Sequence, residues 1–275
     1  MITKKITAVL LAVGVVASTT TLFSEINIKG AFADTIQQNV VYAKGGTTSA
    51  SIDNTKLSDA DNKEIKEKSL DAAKKYFGAS IDTDASFQYR SSLMNEATLI
   101  DEEAKEQKML QEEYDKKEIT AEEYNTEKEY IPKSVNASRA MIAKLKHGVI
   151  TATWINANGN GYNLSFNENT KEIESIQEVT AMSDELAKRT KLTLSEDQLK
   201  STAENFIKEY KLGDLQKPKC ILVKDQEYFY QVFYQDENDS SKKVGVYIDS
   251  YTGKVSCFVT KSSADLYYDN AINLK

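Results

Sequence analysis

The feature that most restricts what this chain can fold into is an internal repeat. Phe166 to Ile176 (FNENTKEIESI) aligns without a gap on Ile248 to Phe258 (IDSYTGKVSCF), 82 residues further on. In both copies a strand runs into Asn or Asp, a turn carrying Thr follows, and a new strand opens on an aliphatic residue. Asn167 and Asp249 are suited to close such a turn with a side-chain oxygen, and Gly253 can take a positive φ there. Lys171, at the matching position, must do so with strain or use another turn type. A repeat built on strand, turn and strand predicts a tandem α+β fold, each unit a helix packed on an antiparallel meander.

The patterns around the repeat fill in the two units. In the first, residues 58–180, Ser58 reads as the N-cap of a helix whose apolar stripe is Ile65, Leu70, Ala73, Tyr76 and Phe77, stopped by Gly78. Phe87 to Leu93 follows as a strand. From Asn95 to Tyr130 the chain is helical and densely charged, breaking at Asp115-Lys116-Lys117-Glu118. Thr120 and Glu123 then form a capping box, which predicts a helical hairpin. After Pro132 a separate helix is expected over Ser134 to Lys146, so the insertion spans about 95–146. Val149 to Ile155, Tyr162 to Phe166 and Lys171 to Gln177 complete the sheet, the first two joined by an Asn-Gly-rich turn. In the second unit, residues 181–262, Ser195 caps a helix ending near Lys211. Four strands follow at Cys220 to Val223, Tyr228 to Tyr234, Val244 to Ile248 and Val255 to Val259. Residues 263–275 read as a C-terminal tail.

Ahead of the units lies a leader. Lys4 and Lys5 precede an apolar run from Ile6 to Ala17, and a polar stretch closes on Ala31-Phe32-Ala33, the layout of a secretory signal peptide over residues 1–33. The apolar run is shorter than the roughly 20 residues that span a bilayer, so cleavage is expected at Ala33, with Ala17 as a second site and a retained anchor as the alternative. No Cys follows the run, which removes a lipoprotein anchor. Residues 34–57, rich in Thr, Ser, Gly and Asn, read as a flexible linker. With 28% charged residues and a mean hydropathy of -0.50, the mature chain is expected to be soluble and extracytoplasmic, secreted or envelope-associated.

Charge sets limits on partners. The net charge of the 275-residue chain is -7, and residues 101–130 alone hold twelve Asp and Glu against five Lys. The acidity therefore belongs to the hairpin. A protein without a basic face is a poor fit for nucleic acid.

Reactive groups are few. The single histidine, His147, falls at a helix-to-strand junction and reads as a surface loop residue. There is no Gly-rich phosphate loop and no G-x-S-x-G nucleophile elbow. Asp236-Glu237-Asn238-Asp239-Ser240 imitates a calcium loop but lacks its central Gly and has Tyr247 where a bidentate Glu belongs, so a solvated hairpin loop is expected. Asn156, Asn158 and Asn160 share the spacing without any carboxylate. No catalytic residue, metal or cofactor is expected, and the chain is read as a non-enzyme. Cys220 and Cys257 lie on the first and last strands of a four-strand meander, three spacings of about 4.8 Å apart, too far for a disulfide. Two reduced thiols are predicted. Tyr228, Tyr230 and Tyr234 share one strand face, with Phe229 and Phe233 on the other. One face must pack on a helix. The leftover aromatics, grouped with Trp154 of the first unit, form the candidate binding surface or the joint between units.

The segment Val246 to Val255 resembles the closing hairpin of PepSY domains, in which a strand ends in Asp, a Thr-Gly turn follows and a short strand completes the sheet. Residues 194–260 share that family's order of one helix and then an antiparallel sheet; residues 58–180 follow it with the helical insertion interposed. The resemblance implies an exported or envelope protein that binds a protein or peptide, a peptidase among the candidates, and it carries no catalytic residues. Locally, the run Leu110, Tyr114, Ile119-Thr120, Glu122-Glu123-Tyr124, Lys128, Ile131 is similar to the short helical SHOCT motif, which usually has Gly where Lys117 stands. An alternative expectation follows from the hairpin: a structural or surface-interaction protein.

Overall fold

Residues 57–180 and 189–273 are described by a computed structural model; the leader and nearly all of the linker lie outside the described residues. The protein is α+β, with five α-helices and one eight-stranded antiparallel sheet among these residues.

Helix α1 (Asp59–Phe77) starts on Ser58, whose hydroxyl accepts from the Asp61 amide at 3.0 Å, and stops at Gly78 with φ +65°. Strand β1 (Gln88–Met94) leads into the hairpin of α2 (Glu96–Asp115) and α3 (Ala121–Leu145). The Thr120 and Glu123 capping box is present, and a second one joins Asn95 and Thr98. The chain break expected at Pro132 does not occur, because α3 runs through it. Proline in a helix interior removes one backbone hydrogen bond at a cost of about 3 kcal/mol. Here its neighbours Ile131 and Val135 are fully buried, and their burial offsets that cost.

Strands β2 (Val149–Ile155), β3 (Gly161–Asn167) and β4 (Ile173–Val179) finish the first meander. Helix α4 (Glu196–Tyr210) is capped reciprocally by Ser195 and Gln198. It precedes β5 (Pro218–Asp225), β6 (Phe229–Asp236), β7 (Lys243–Asp249) and β8 (Val255–Thr260). The expected C-terminal tail is instead helix α5 (Lys261–Asn273), which continues directly from β8 and buries Ala264, Leu266, Tyr267 and Ala271. Its weak apolar periodicity hides it in the sequence: Leu266, Tyr267, Tyr268 and Ile272 follow no clean stripe.

The two meanders make one sheet rather than two. The strand order is β1-β2-β3-β4-β8-β7-β6-β5, so the last strand of each meander pairs with the other. Only Ser175 with Val259, Ile176 with Phe258 and Gln177 with Cys257 are matched there, yet this suffices to cover two edges that would otherwise expose unpaired amides and carbonyls.

The sequence repeat is a repeat of geometry. Asn167 Oδ1 accepts from the amides of Asn169 and Thr170, and Asp249 Oδ1 from those of Tyr251 and Thr252. Thr170 and Thr252 each accept from the amide two residues on. Lys171 does adopt the left-handed conformation, φ +55°, matching Gly253 at +69°. Beyond the turn, Phe166 pairs with Ile173 and Ile248 with Val255, and in each copy the next residue, Glu174 or Ser256, is the extra residue of a bulge.

One sheet face carries α1 and α4 over a core that spans both meanders, including Ile65, Ile150, Phe166, Leu199, Val246 and Phe258. The other face carries α5 and the base of the hairpin over Val135, Leu145, Phe233, Tyr247 and Val259. The hairpin's far end has its own small core, Leu110 and Ile131 flanked by Ile119 and Tyr124.

Candidate functional site

The aromatic residues expected at a surface or joint are mostly interior. Trp154 is 6% exposed and donates its indole N–H to Ser69 Oγ at 2.7 Å. Tyr230 and Tyr234 lie under α4; their hydroxyls donate to the backbone carbonyls of Leu192 and Lys200. Burial pushes the Tyr234 hydroxyl well above its ordinary value. Tyr228 alone is partly exposed, just before β6 and beside the Tyr251 ring. No leftover face remains on β6, because α5 covers the side that holds Phe233, whose ring meets those of Tyr247 and Tyr268. The reason is the helix α5: with residues 263–275 read only as a tail, one face of the strand had a cover and the other had none.

His147 is not a surface loop residue. It sits where α3 turns into β2, its side chain 8% exposed, between Glu174 on the β4 bulge and Ser262 in the first turn of α5. Nδ1 donates to the Gly148 carbonyl at 2.8 Å, since a carbonyl can only accept. Neutral imidazole therefore has a free lone pair on Nε2, which lies 2.8 Å from Ser262 Oγ and 3.1 Å from Glu174 Oε1. The Glu174 carboxylate accepts from Ser262 at 3.1 Å, Ser263 at 2.8 Å and Asn167 Nδ2 at 3.3 Å.

A serine hydroxyl on an imidazole nitrogen is the opening requirement for acyl transfer. Here the buried carboxylate lies against that hydroxyl and accepts from it. A second negative charge at that place would be repelled, so the arrangement suits holding rather than reacting. Glu174 satisfies the opening hydroxyls of α5 and ties them to the foot of the hairpin.

The remaining candidates are turns. Asp236 is buried, and its carboxylate accepts from the amides of Lys217 at 2.9 Å, Asn238 at 2.8 Å and Gln216, which holds it below the usual carboxylate range. Asn156 Oδ1 accepts from the amides of Asn158 and Asn160, both at 3.0 Å. Among the described residues no three His, Cys, Asp or Glu side chains are grouped so as to hold a metal ion. Cys220 and Cys257 are both free thiols.

What stands out on the surface is the hairpin. Of the six large hydrophobic side chains exposed among the described residues, four are on it: Ile100, Met109, Tyr114 and Tyr130. Beyond each other, α2 touches β1 and α3 touches α5, both near the foot. Lys117, at the break, has φ +59°, a left-handed conformation that Gly would adopt without strain.

The fold and its internal contacts thus describe an α+β protein in which two like meanders share one sheet. Its described helices include none long and apolar enough to cross a membrane. No family model matches the sequence, and no curated protein matches it. Among solved structures, the Bacillus megaterium YpeB C-terminal domain is similar at 9% identity and a TM-score of 0.39, over 76% of this chain and 66% of that one. At that identity and score the likeness carries no functional information about this chain.

Proposed function

We propose that this is an exported, non-catalytic binding or regulatory protein whose contact element is the acidic hairpin of α2 and α3. The observation that carries the reading is the concentration on one element of four of the six exposed large hydrophobics, together with the acidic stretch 101–130, whose twelve Asp and Glu face only five Lys. Apolar side chains set among carboxylates suit a protein or peptide partner with a basic, partly apolar surface. The signal-peptide layout of residues 1–33 supports an extracytoplasmic site of action, secreted or at the envelope. The PepSY-like turn Asp249-Ser250-Tyr251-Thr252-Gly253 supports a restraining role, with a peptidase or an envelope component as the class of partner.

The test is a pull-down from culture envelope and secretome with the mature chain and with a variant carrying Ile100→Ser, Met109→Ser, Tyr114→Ser and Tyr130→Ser. All four positions are exposed, so the variant is expected to fold, as far-UV circular dichroism will check. A partner captured by the parent and lost by the variant supports the hairpin as contact element. Equal capture by both moves the contact elsewhere, and capture of nothing by the parent removes the binding reading.

A further inference from the structure

Glu106 stands where the seam between two helices calls for an apolar side chain. Along α2 it lies between Leu99 and Leu110, and across the seam α3 presents Ile131 and Val135, all of them buried. Glu106 is only 2% exposed, and neither of its carboxylate oxygens has a hydrogen-bond partner. The charges acting on it are two more carboxylates, Glu102 one turn earlier on α2 and Glu127 on α3. Lys105 acts on Glu102 and is bonded to Asp101. An ionised carboxylate without a partner is unstable in such a place. Either it takes up a proton or the helices part to admit water.

We propose that the distal half of the hairpin, residues 103–131, is a proton-operated element: with Glu106 protonated the helices close over it, and its ionisation loosens the seam around Leu110 and Ile131. Burial first, and the charges of Glu102 and Glu127 second, push its carboxyl up to about 7. In the opened hairpin the carboxyl returns toward its ordinary 4.5. Between those two values the closed form holds a proton that the open form has lost. Closure is therefore strongest at the acidic end, weakens by up to about tenfold per pH unit through the window, and levels off above it. This device operates whether or not the hairpin is the contact element proposed above.

Hydrogen exchange of the full chain, read by mass spectrometry from about pH 5 to about pH 8 and corrected for the intrinsic pH dependence of amide exchange, tests it. Peptides covering 103–131 are expected to lose about tenfold in protection per unit up to about pH 7 and then to level off. Peptides from β6 serve as the unchanging control. Glu106→Gln, a neutral side chain of the same shape, and Glu106→Leu, which fills the seam, are each expected to reduce the slope to less than half. If Glu106→Gln fails to fold, Glu106→Leu alone decides. A flat parent profile over this range, or a parental slope retained in the folded variants, overturns the proposal.

Discussion

Five of the six non-glycine residues with positive φ among the described residues are lysines: 117, 146, 171, 211 and 261. The left-handed conformation costs an L-residue about 1–2 kcal/mol, so these positions exist because something else fixes the backbone. At Lys146 it is the end of α3, where its amide donates to Ile142 O at 2.8 Å; at Lys171 it is the repeat turn, where its amide donates to Asn167 O at 2.9 Å. Lysine also suits a helix C-terminus electrostatically, as at 117, 146 and 211. Lys117→Gly is expected to stabilise the protein by about 0.5–1 kcal/mol, the relief of strain exceeding the extra unfolded-state entropy of glycine. A higher urea midpoint at unchanged slope would register it. Lys171→Gly should gain less, because Lys171 Nζ donates to the Glu168 carbonyl at 2.7 Å and lies 3.5 Å from Asp61. The strain at Lys171 was legible from the repeat, since its partner position is Gly253. The strain at Lys146 was not, because no second copy of that junction exists to compare.

At the scale of elements, the caps were readable and the continuity was not. Ser58, Thr120 and Ser195 announce their helices because a cap satisfies nearby amides with nearby side chains, within three residues. Pro132 misleads for the opposite reason: what carries α3 through it is packing across the hairpin. The polar group of His147, Glu174, Ser262 and Ser263 was equally hidden, its members lying 27 and 88 residues apart along the chain from His147 to Glu174 to Ser262. It joins the foot of the hairpin, the β4 bulge and α5. Glu174→Leu leaves the buried Ser263 hydroxyl without its acceptor, while Ser262 can turn to His147 Nε2, at an expected cost of about 1–3 kcal/mol. Urea unfolding would measure the loss, and earlier proteolytic release of the segment after Thr260 would place it at the docking of α5. Unchanged stability would reduce the network to a solvated contact.

Over the whole molecule, the sheet order decides the fate of the thiols. Cys220 pairs across from Tyr234 on the outermost strand and belongs to the core under α4, whereas Cys257 pairs across from Tyr247 on β8 and belongs to the core under α5. They are three strands apart and on opposite faces. Denatured, unreduced protein is therefore expected to label at two thiols. In the native state Cys257, buried and with its thiol pushed far up by desolvation, should react more slowly than half-buried Cys220. Labelling of neither thiol after denaturation would contradict the strand order.

By itself the sequence determined whatever is settled within a few residues: the caps, the turns, the Asn167 and Asp249 closures, the alternation of each strand and the hairpin break at Lys117. From these the α+β class follows. Only the tertiary structure decided that the meanders fuse through β4 and β8, that α5 covers the second face, that Trp154, Tyr230 and Tyr234 are core, and that His147 and Glu106 are buried. Pairing of distant edges and covering of distant faces are contacts between remote parts of the chain. A side chain's burial depends on what another element happens to cover, and no local pattern records that.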